Sequence, residues 1–102
     1  MTKPPKHFDR LSERYPDFMT ALESLGESVK RAGPLDTKTC ELIQLAAAAA
    51  TRSEGAVHSH CRRAQAAGAT REEIHHALLL LTSTIGFPTV SAAMSWADDV
   101  MA

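Results

Sequence analysis

Residues 36–50 read DTKTCELIQLAAAAA, and their reading decides the fold. Asp36 is a good helix N-cap, because its side-chain oxygen can accept from one of the amides that a first turn leaves unpaired. Lys38, Glu41 and Gln44 keep one side of the segment polar; from Leu45 through Ala50 it is apolar on every side. A helix apolar all round is a buried helix. The alanines from Ala46 to Ala50 therefore predict close helix packing, within the subunit or between subunits. The run contains no Gly, Ser or Pro and so is helix rather than linker.

Working outward from this segment, punctuation divides the rest of the chain into pieces of helical length. Upstream, Gly33-Pro34 is a break, and before it Phe18, Ala21, Leu22, Leu25 and Val29 recur with helical period behind Pro16, a residue suited to a first helical position. A shorter helix spans about Lys6 to Arg14. Downstream, Thr51-Arg52-Ser53 is a polar break, and a fourth helix runs from about Ser53 to Ala67 with Gly68 as a left-handed stop. Thr70-Arg71-Glu72-Glu73 has the pattern of a capping box, in which hydroxyl and carboxylate satisfy reciprocal amides. The fifth helix continues through Ile74, Ala77, Leu78, Leu81 and Ile85 to Gly86. The last spans Pro88 to Met101, with Ala92, Ala93, Trp96 and Val100 on its inner face. No strand-like alternation of four or more residues occurs, and the connections are short. The expected fold is all-α: a compact bundle of about six helices forming a single domain over residues 1–102.

Composition narrows the function classes. The chain has 102 residues, 44% of them hydrophobic and 23% charged, with 11 basic against 12 acidic side chains and a net charge of -1. This balance offers no clustered Lys and Arg for a nucleic-acid backbone or an anionic membrane, so neither is an expected partner. The nearly uncharged stretch from Ala77 to Ala97 is interrupted by Thr82, Ser83, Thr84, Gly86 and Pro88 and does not read as a membrane span. The N-terminal residues Met1 to His7 have charge but no apolar segment behind them, which predicts a cytoplasmic location. Cys40 and Cys61 are too few for a disulfide framework and are expected as reduced thiols.

Three features carry potential chemistry: Glu41 on a helix that turns apolar one turn later, His58 and His60 on the fourth helix, and the pair His75-His76. Glu41 has a bland alternative, an exposed pair with Lys38 three residues back. His58 and His60 lie two residues apart and diverge on a helix, and His75 and His76 are adjacent, so neither pair makes a metal-chelating set. No metal and no cofactor are expected. No Cys-x-x-Cys is present, and a lone Cys is more often a small buried hydrophobe than a reactive thiol.

The stretch from Leu35 to Ala46, then Arg52-Ser-Glu-Gly-Ala-Val-His-Ser-His60-Cys-Arg-Arg-Ala, Ala67-Gly-Ala-Thr-Arg-Glu-Glu-Ile74 and Gly86-Phe-Pro88 closely resembles the carboxymuconolactone decarboxylase family, which includes the alkylhydroperoxidase D-like proteins. The shared motifs cover about residues 35–93, leaving the N-terminal helices over residues 5–33 outside them. In the alkylhydroperoxidase D-like branch, a Glu lies twelve residues before the first Cys of Cys-x-x-Cys, and a His follows the second Cys by four. Glu41 and His60 keep that frame, while Ser53 and Ala56 stand at the two thiol positions. The resemblance thus implies an alkylhydroperoxidase D-like fold, Glu41 and His60 facing each other as a proton relay, and a family-level peroxidase or antioxidant activity. The dithiol mechanism itself needs an attacking thiolate and a resolving thiol, and Ser53 and Ala56 supply neither. Cys61, beside His60, is the one thiol near the expected site.

Three readings follow. The first is a small enzyme centred on Glu41 and His60, including a thiol-independent, lactone decarboxylase-like acid–base enzyme as the family's other branch implies. The second is a protein that binds a small ligand without chemistry, and the third a structural role in which the pair joins two helices. Single-repeat members resemble one another in forming rings. Together with the alanine run and the block Leu78-Leu79-Leu80-Leu81, this predicts a homo-oligomer, a hexamer or a trimer.

Overall fold

The structure is a computed structural model and describes residues 6–101; the stretch Met1 to Pro5, part of the leader reading above and the first residue of the expected N-terminal helices, lies outside them. The chain falls into two compact units, one ending at Leu35 and one beginning at Asp36. The first holds α1 (Lys6–Arg14) and α2 (Pro16–Arg31). Pro16 opens α2, where a missing amide hydrogen costs nothing. The second holds α3 (Thr37–Ala50), α4 (Glu54–Ala66), α5 (Arg71–Leu79), α6 (Thr82–Ile85) and α7 (Phe87–Val100). The fold is all-α, with no strand among the described residues.

In α2 the apolar spacing is real, yet Phe18, Leu22, Leu25 and Val29 are exposed and only Met19 is buried. The helical period is therefore that of an amphipathic helix, its apolar residues exposed rather than in a core.

In the second unit, local chemistry sets the helix boundaries. The Asp36 carboxylate accepts from Thr39 N at 2.8 Å and Ser53 Oγ from Ala56 N at 3.4 Å, so α3 and α4 both start on a side-chain cap. Thr70 and Glu73 complete the capping box of α5, with Thr70 Oγ1 accepting from Glu73 N at 3.0 Å and Glu73 Oε1 from Thr70 N at 2.9 Å. Two helix ends close by the same pair of backbone bonds. After α4, Gly68 N donates to Gln65 O and Ala69 N to Ala64 O, with Gly68 at φ 97. After α3, Arg52 N donates to Ala49 O and Ser53 N to Ala48 O, with Arg52 at φ 57. Both are Schellman closures, and Arg52 holds a left-handed conformation that costs a residue with a Cβ about 1 kcal/mol.

The fifth segment does not run through as one helix. Leu81 N donates to Leu78 O, three residues back, which tightens the chain after Leu79 before α6 adds a single turn. Gly86 at φ 92 then redirects the backbone, and Phe87 with Pro88 opens α7.

The core of this unit gathers Leu45, Val57, Cys61, Ile74, Leu78 and Ala97, with small residues such as Ala49, Ala64 and Ala93 letting the helices approach. Full burial of a side chain such as Leu45 or Ile74 contributes about 2 kcal/mol. The buried face of α7 centres on Val90, Ala93 and Ala97, so Trp96 and Val100 flank the core rather than lie within it. On α3, Ala48 and Ala49 are buried but Ala47 and Ala50 are exposed. The alanine run is thus covered on one side only within the protomer.

Candidate functional site

α3 and α4 run antiparallel, joined by the turn through Thr51, Arg52 and Ser53. At the turn Ser53 meets Ala48; at the far end His60 meets Glu41. His60 Nδ1 lies 2.9 Å from Glu41 Oε1, and the Glu41 side chain is 2% exposed against 20% for His60. An ionised carboxylate only accepts, so Nδ1 carries the proton in this bond and the neutral ring presents Nε2 as its lone-pair nitrogen. That Nε2 makes no hydrogen bond among the described residues. A fixed tautomer with a basic nitrogen backed by a buried carboxylate is an arrangement able to take up and return a proton.

Lys38, the alternative partner for Glu41, turns elsewhere: its Nζ donates to Glu73 Oε2 at 2.9 Å, tying the start of α3 to the start of α5. Glu73 holds the Lys38 ammonium above its ordinary pKa, and the Thr70 amide followed by Lys38 holds the Glu73 carboxyl below its own.

The thiol positions of the resemblance fall on the same side of α4 as His60, at its first turns. Ser53 Oγ is engaged as the cap of α4, and no histidine or carboxylate hydrogen-bonds to it among the described residues. Ala56 is half-buried against the core. Cys61, although next to His60 in the chain, points the other way: it is fully buried and its thiol donates to Ala97 O of α7 at 3.7 Å. Burial, helped by the nearby Asp98 carboxylate, pushes this thiol from its ordinary 9.0 up to about 11. It stays protonated at neutral pH and lacks the thiolate a nucleophile needs. Neither Cys40 nor Cys61 is in a disulfide.

Two features escaped the sequence reading. Asp98 on α7 accepts from His75 Nε2 at 2.7 Å and from Arg71 Nη1 at 3.1 Å, forming a second imidazole–carboxylate contact, between α5 and α7. A His and an Asp on separate helices, 23 residues apart, leave no local spacing by which to find them. The other is a pair of buried polar atoms without hydrogen-bond partners, Gln44 Oε1 on α3 and His58 Nε2 on α4. His58 Nε2 lies 3.9 Å from Glu54 Oε2, beyond hydrogen-bond reach. Among the described residues no group of three or more His, Cys, Asp or Glu side chains is placed to hold a metal ion, and no helix is long and apolar enough to cross a membrane.

The family model for the carboxymuconolactone decarboxylases matches residues 16–99. The chain belongs to the carboxymuconolactone decarboxylase family. The match takes in α2 as well as α3 and α4, which carry Glu41 and His60, and so extends beyond the motifs of residues 35–93. Among solved structures, this member is similar to the apo form of a carboxymuconolactone decarboxylase family protein from Legionella pneumophila. The TM-score is 0.78 at 28% identity, covering 93% of this chain and 88% of that one. Among curated relatives, an uncharacterised protein of Methanocaldococcus jannaschii is 32% identical over 85 residues, 82% of each chain. An uncharacterised protein of Haemophilus influenzae is 40% identical over 59 residues, 58% of this chain and 52% of that protein, so the match spans about half the length of that relative.

Proposed function

We propose that this family member is a thiol-independent acid–base enzyme acting on small carbonyl compounds of the lactone-acid type, with His60 as the proton-transferring group and Glu41 as its orienting partner. The observation that carries this reading is the 2.9 Å contact between His60 Nδ1 and a Glu41 carboxylate that is 2% exposed, at a site whose thiol positions hold Ser53 and Ala56. Nε2 abstracts a proton from the carbon beside the carbonyl, and the electron pair passes to the carbonyl oxygen. Glu41 stabilises the imidazolium so formed, which returns the proton to carbon in an isomerisation. In a decarboxylation, the C–C bond to the carboxylate breaks, carbon dioxide leaves, and the protonated imidazole supplies the proton that the remaining enolate carbon takes up. A peroxidase reading would fall to Cys61, whose buried, protonated thiol argues against it.

The test is incubation with a panel of small lactone carboxylic acids in heavy water, following deuterium incorporation and carbon dioxide release. Wild-type protein is expected to turn over at least one of them, and His60→Gln, which can still donate to Glu41, to lose about 100-fold or more. Full activity in His60→Gln would overturn the assignment. So would peroxide turnover with a dithiol reductant that disappears in Cys61→Ser.

We also propose that the working form is a homo-oligomer, a hexamer or a trimer. Its support is the apolar surface the protomer leaves open: Phe18, Leu22, Leu25 and Val29 on α2, with Ile43, Leu80 and Phe87 in the second unit. Light scattering at micromolar concentration is expected to return three or six times the protomer mass; the protomer mass alone would contradict it.

A further inference from the structure

α2 carries its large apolar side chains at Phe18, Leu22, Leu25 and Val29, spacings of four, three and four that keep them in one row along the helix. Tyr15 and Ala32, the residues on either side of α2, each continue the alternation at three. The four are between 48% and 60% exposed, and Met19 is the one buried side chain of α1 and α2 among the described residues. A helix of this length with a glycine, Gly26, in its interior is marginal by itself in water, so the row needs a cover. Its surroundings say of what kind. Ala21, Gly26 and Ser28 flank the row, small and uncharged, so another helix can come close. The charged residues Asp17, Glu23, Glu27, Lys30 and Arg31 all fall on the other half of α2, where Arg31 meets Glu27 at 3.8 Å. A row this narrow is a seam for one helix, and a polar half with three acidic against two basic residues has no attraction for an anionic lipid surface.

We infer that α2 pairs antiparallel with α2 of a second copy of the chain. The inference rests on the homo-oligomer reading and names its contact and symmetry. Centred between Glu23 and Ser24, the pairing sets Leu22 against the partner's Leu25, Phe18 against the partner's Val29 and Tyr15 against the partner's Ala32. Each aromatic side chain meets a smaller one, so the seam is evenly filled from end to end. A parallel pairing would stack the aromatics on each other at one end and leave alanine on alanine at the other. The antiparallel order also brings the acidic start of α2, Asp17, level with the basic end of its partner, where Lys30 and Arg31 lie. One row is a patch of about 300–600 Å², and two facing rows reach the roughly 1,000 Å² that a specific interface needs. Antiparallel identical helices form a two-fold contact, the same patch on both copies, so protomers assemble in twos. Of a hexamer and a trimer, only the hexamer contains it.

The experiment weighs the full-length protein and its Leu22→Glu/Leu25→Glu variant by analytical ultracentrifugation. The substitutions put four carboxylates into the two central layers of the seam. Wild type is expected to hold six protomers and the glutamate variant half as many, while Leu22→Met/Leu25→Met, which keeps the seam apolar, retains the wild-type mass. Should the glutamate variant fail to fold, disulfide formation decides, in a Cys40→Ser background because Cys61 is fully buried. Leu22→Cys and Leu25→Cys chains mixed together are expected to cross-link about fivefold more than either alone, since the antiparallel register brings only unlike positions face to face. An unchanged mass in a folded glutamate variant would overturn the inference and mean that something other than a second α2 covers the row. Equal cross-linking in mixed and single samples would also overturn it. A wild-type trimer would overturn it and leave the homo-oligomer reading standing. A monomer that binds phosphatidylcholine vesicles through this row would overturn both. A wild type of two protomers, split by the glutamates, keeps the inference and removes the hexamer and the trimer.

Discussion

The molecule holds two imidazole–carboxylate contacts of nearly equal length, and they differ in what surrounds them. Glu41 and His60 meet at 2.9 Å with the carboxylate 2% exposed; Asp98 and His75 meet at 2.7 Å with the carboxylate 47% exposed and shared with Arg71. In the second pair, water and Arg71 already solvate the acid, so the histidine adds little to its energy. In the first, the carboxylate has been taken out of water, and its bond to His60 compensates a desolvation that nothing exposed would require. Length alone therefore says little about which contact matters. Burial of the acid is what distinguishes the two contacts.

The largest expected effect tests this difference directly. His60→Ala leaves the Glu41 carboxylate buried beside a cavity, and urea unfolding is expected to show a loss of about 3–5 kcal/mol. A loss under about 1 kcal/mol would place the buried pair on the level of an exposed one and break the comparison. Cys61 supplies the next effect, because it follows His60 in the chain yet answers electrostatically to Asp98 of the other pair. The folded thiol keeps its proton up to about 11 where the unfolded one loses it near 9.0. Between those values the unfolded state binds fewer protons, so stability falls as pH rises, by on the order of 2 kcal/mol across the window. Urea midpoints at several pH values are expected to show this extra alkaline slope in wild type and not in Cys61→Ala; parallel slopes would remove the thiol from the account. The smallest effect is that of Asp98→Asn, with an expected change within about 1 kcal/mol at pH 7. A loss as large as that of His60→Ala would show that exposure is not what separates the two pairs.

Much of the fold was legible because its boundaries are written in local chemistry. Asp36, Ser53, Thr70 and Gly68 act through their own side chains or the lack of one, and each sits where the helix ends required. Arg52 was not legible as a left-handed residue, since nothing in an arginine announces a positive φ; the closing bonds to Ala48 and Ala49 impose it. Nor was the break after Leu79, where four leucines in a row give no stop signal and tertiary packing decides. The inner face of α7 was read one step off because Trp96 looks like a core residue by size, whereas the close approach of α4 selects Ala93 and Ala97. At the site, the meeting of Glu41 with His60 came from the frame of the family resemblance, not from periodicity. Gln44 and Asp98 were invisible for a different reason: an unsatisfied atom and a contact between distant helices exist only in three dimensions.

The turn through Arg52 has a consequence for how this chain can change over generations. Its six-to-one bond from Ser53 to Ala48 fixes the number of residues between the two helices. Replacing Arg52 by glycine would relieve its backbone and leave the register intact. Inserting or deleting one residue there would instead rotate α4 by about 100° about its axis and carry His60 away from Glu41. Surface turns ordinarily tolerate changes of length better than most positions do. This one reverses that order, tolerant of a change at Arg52 and strict in the count of its residues.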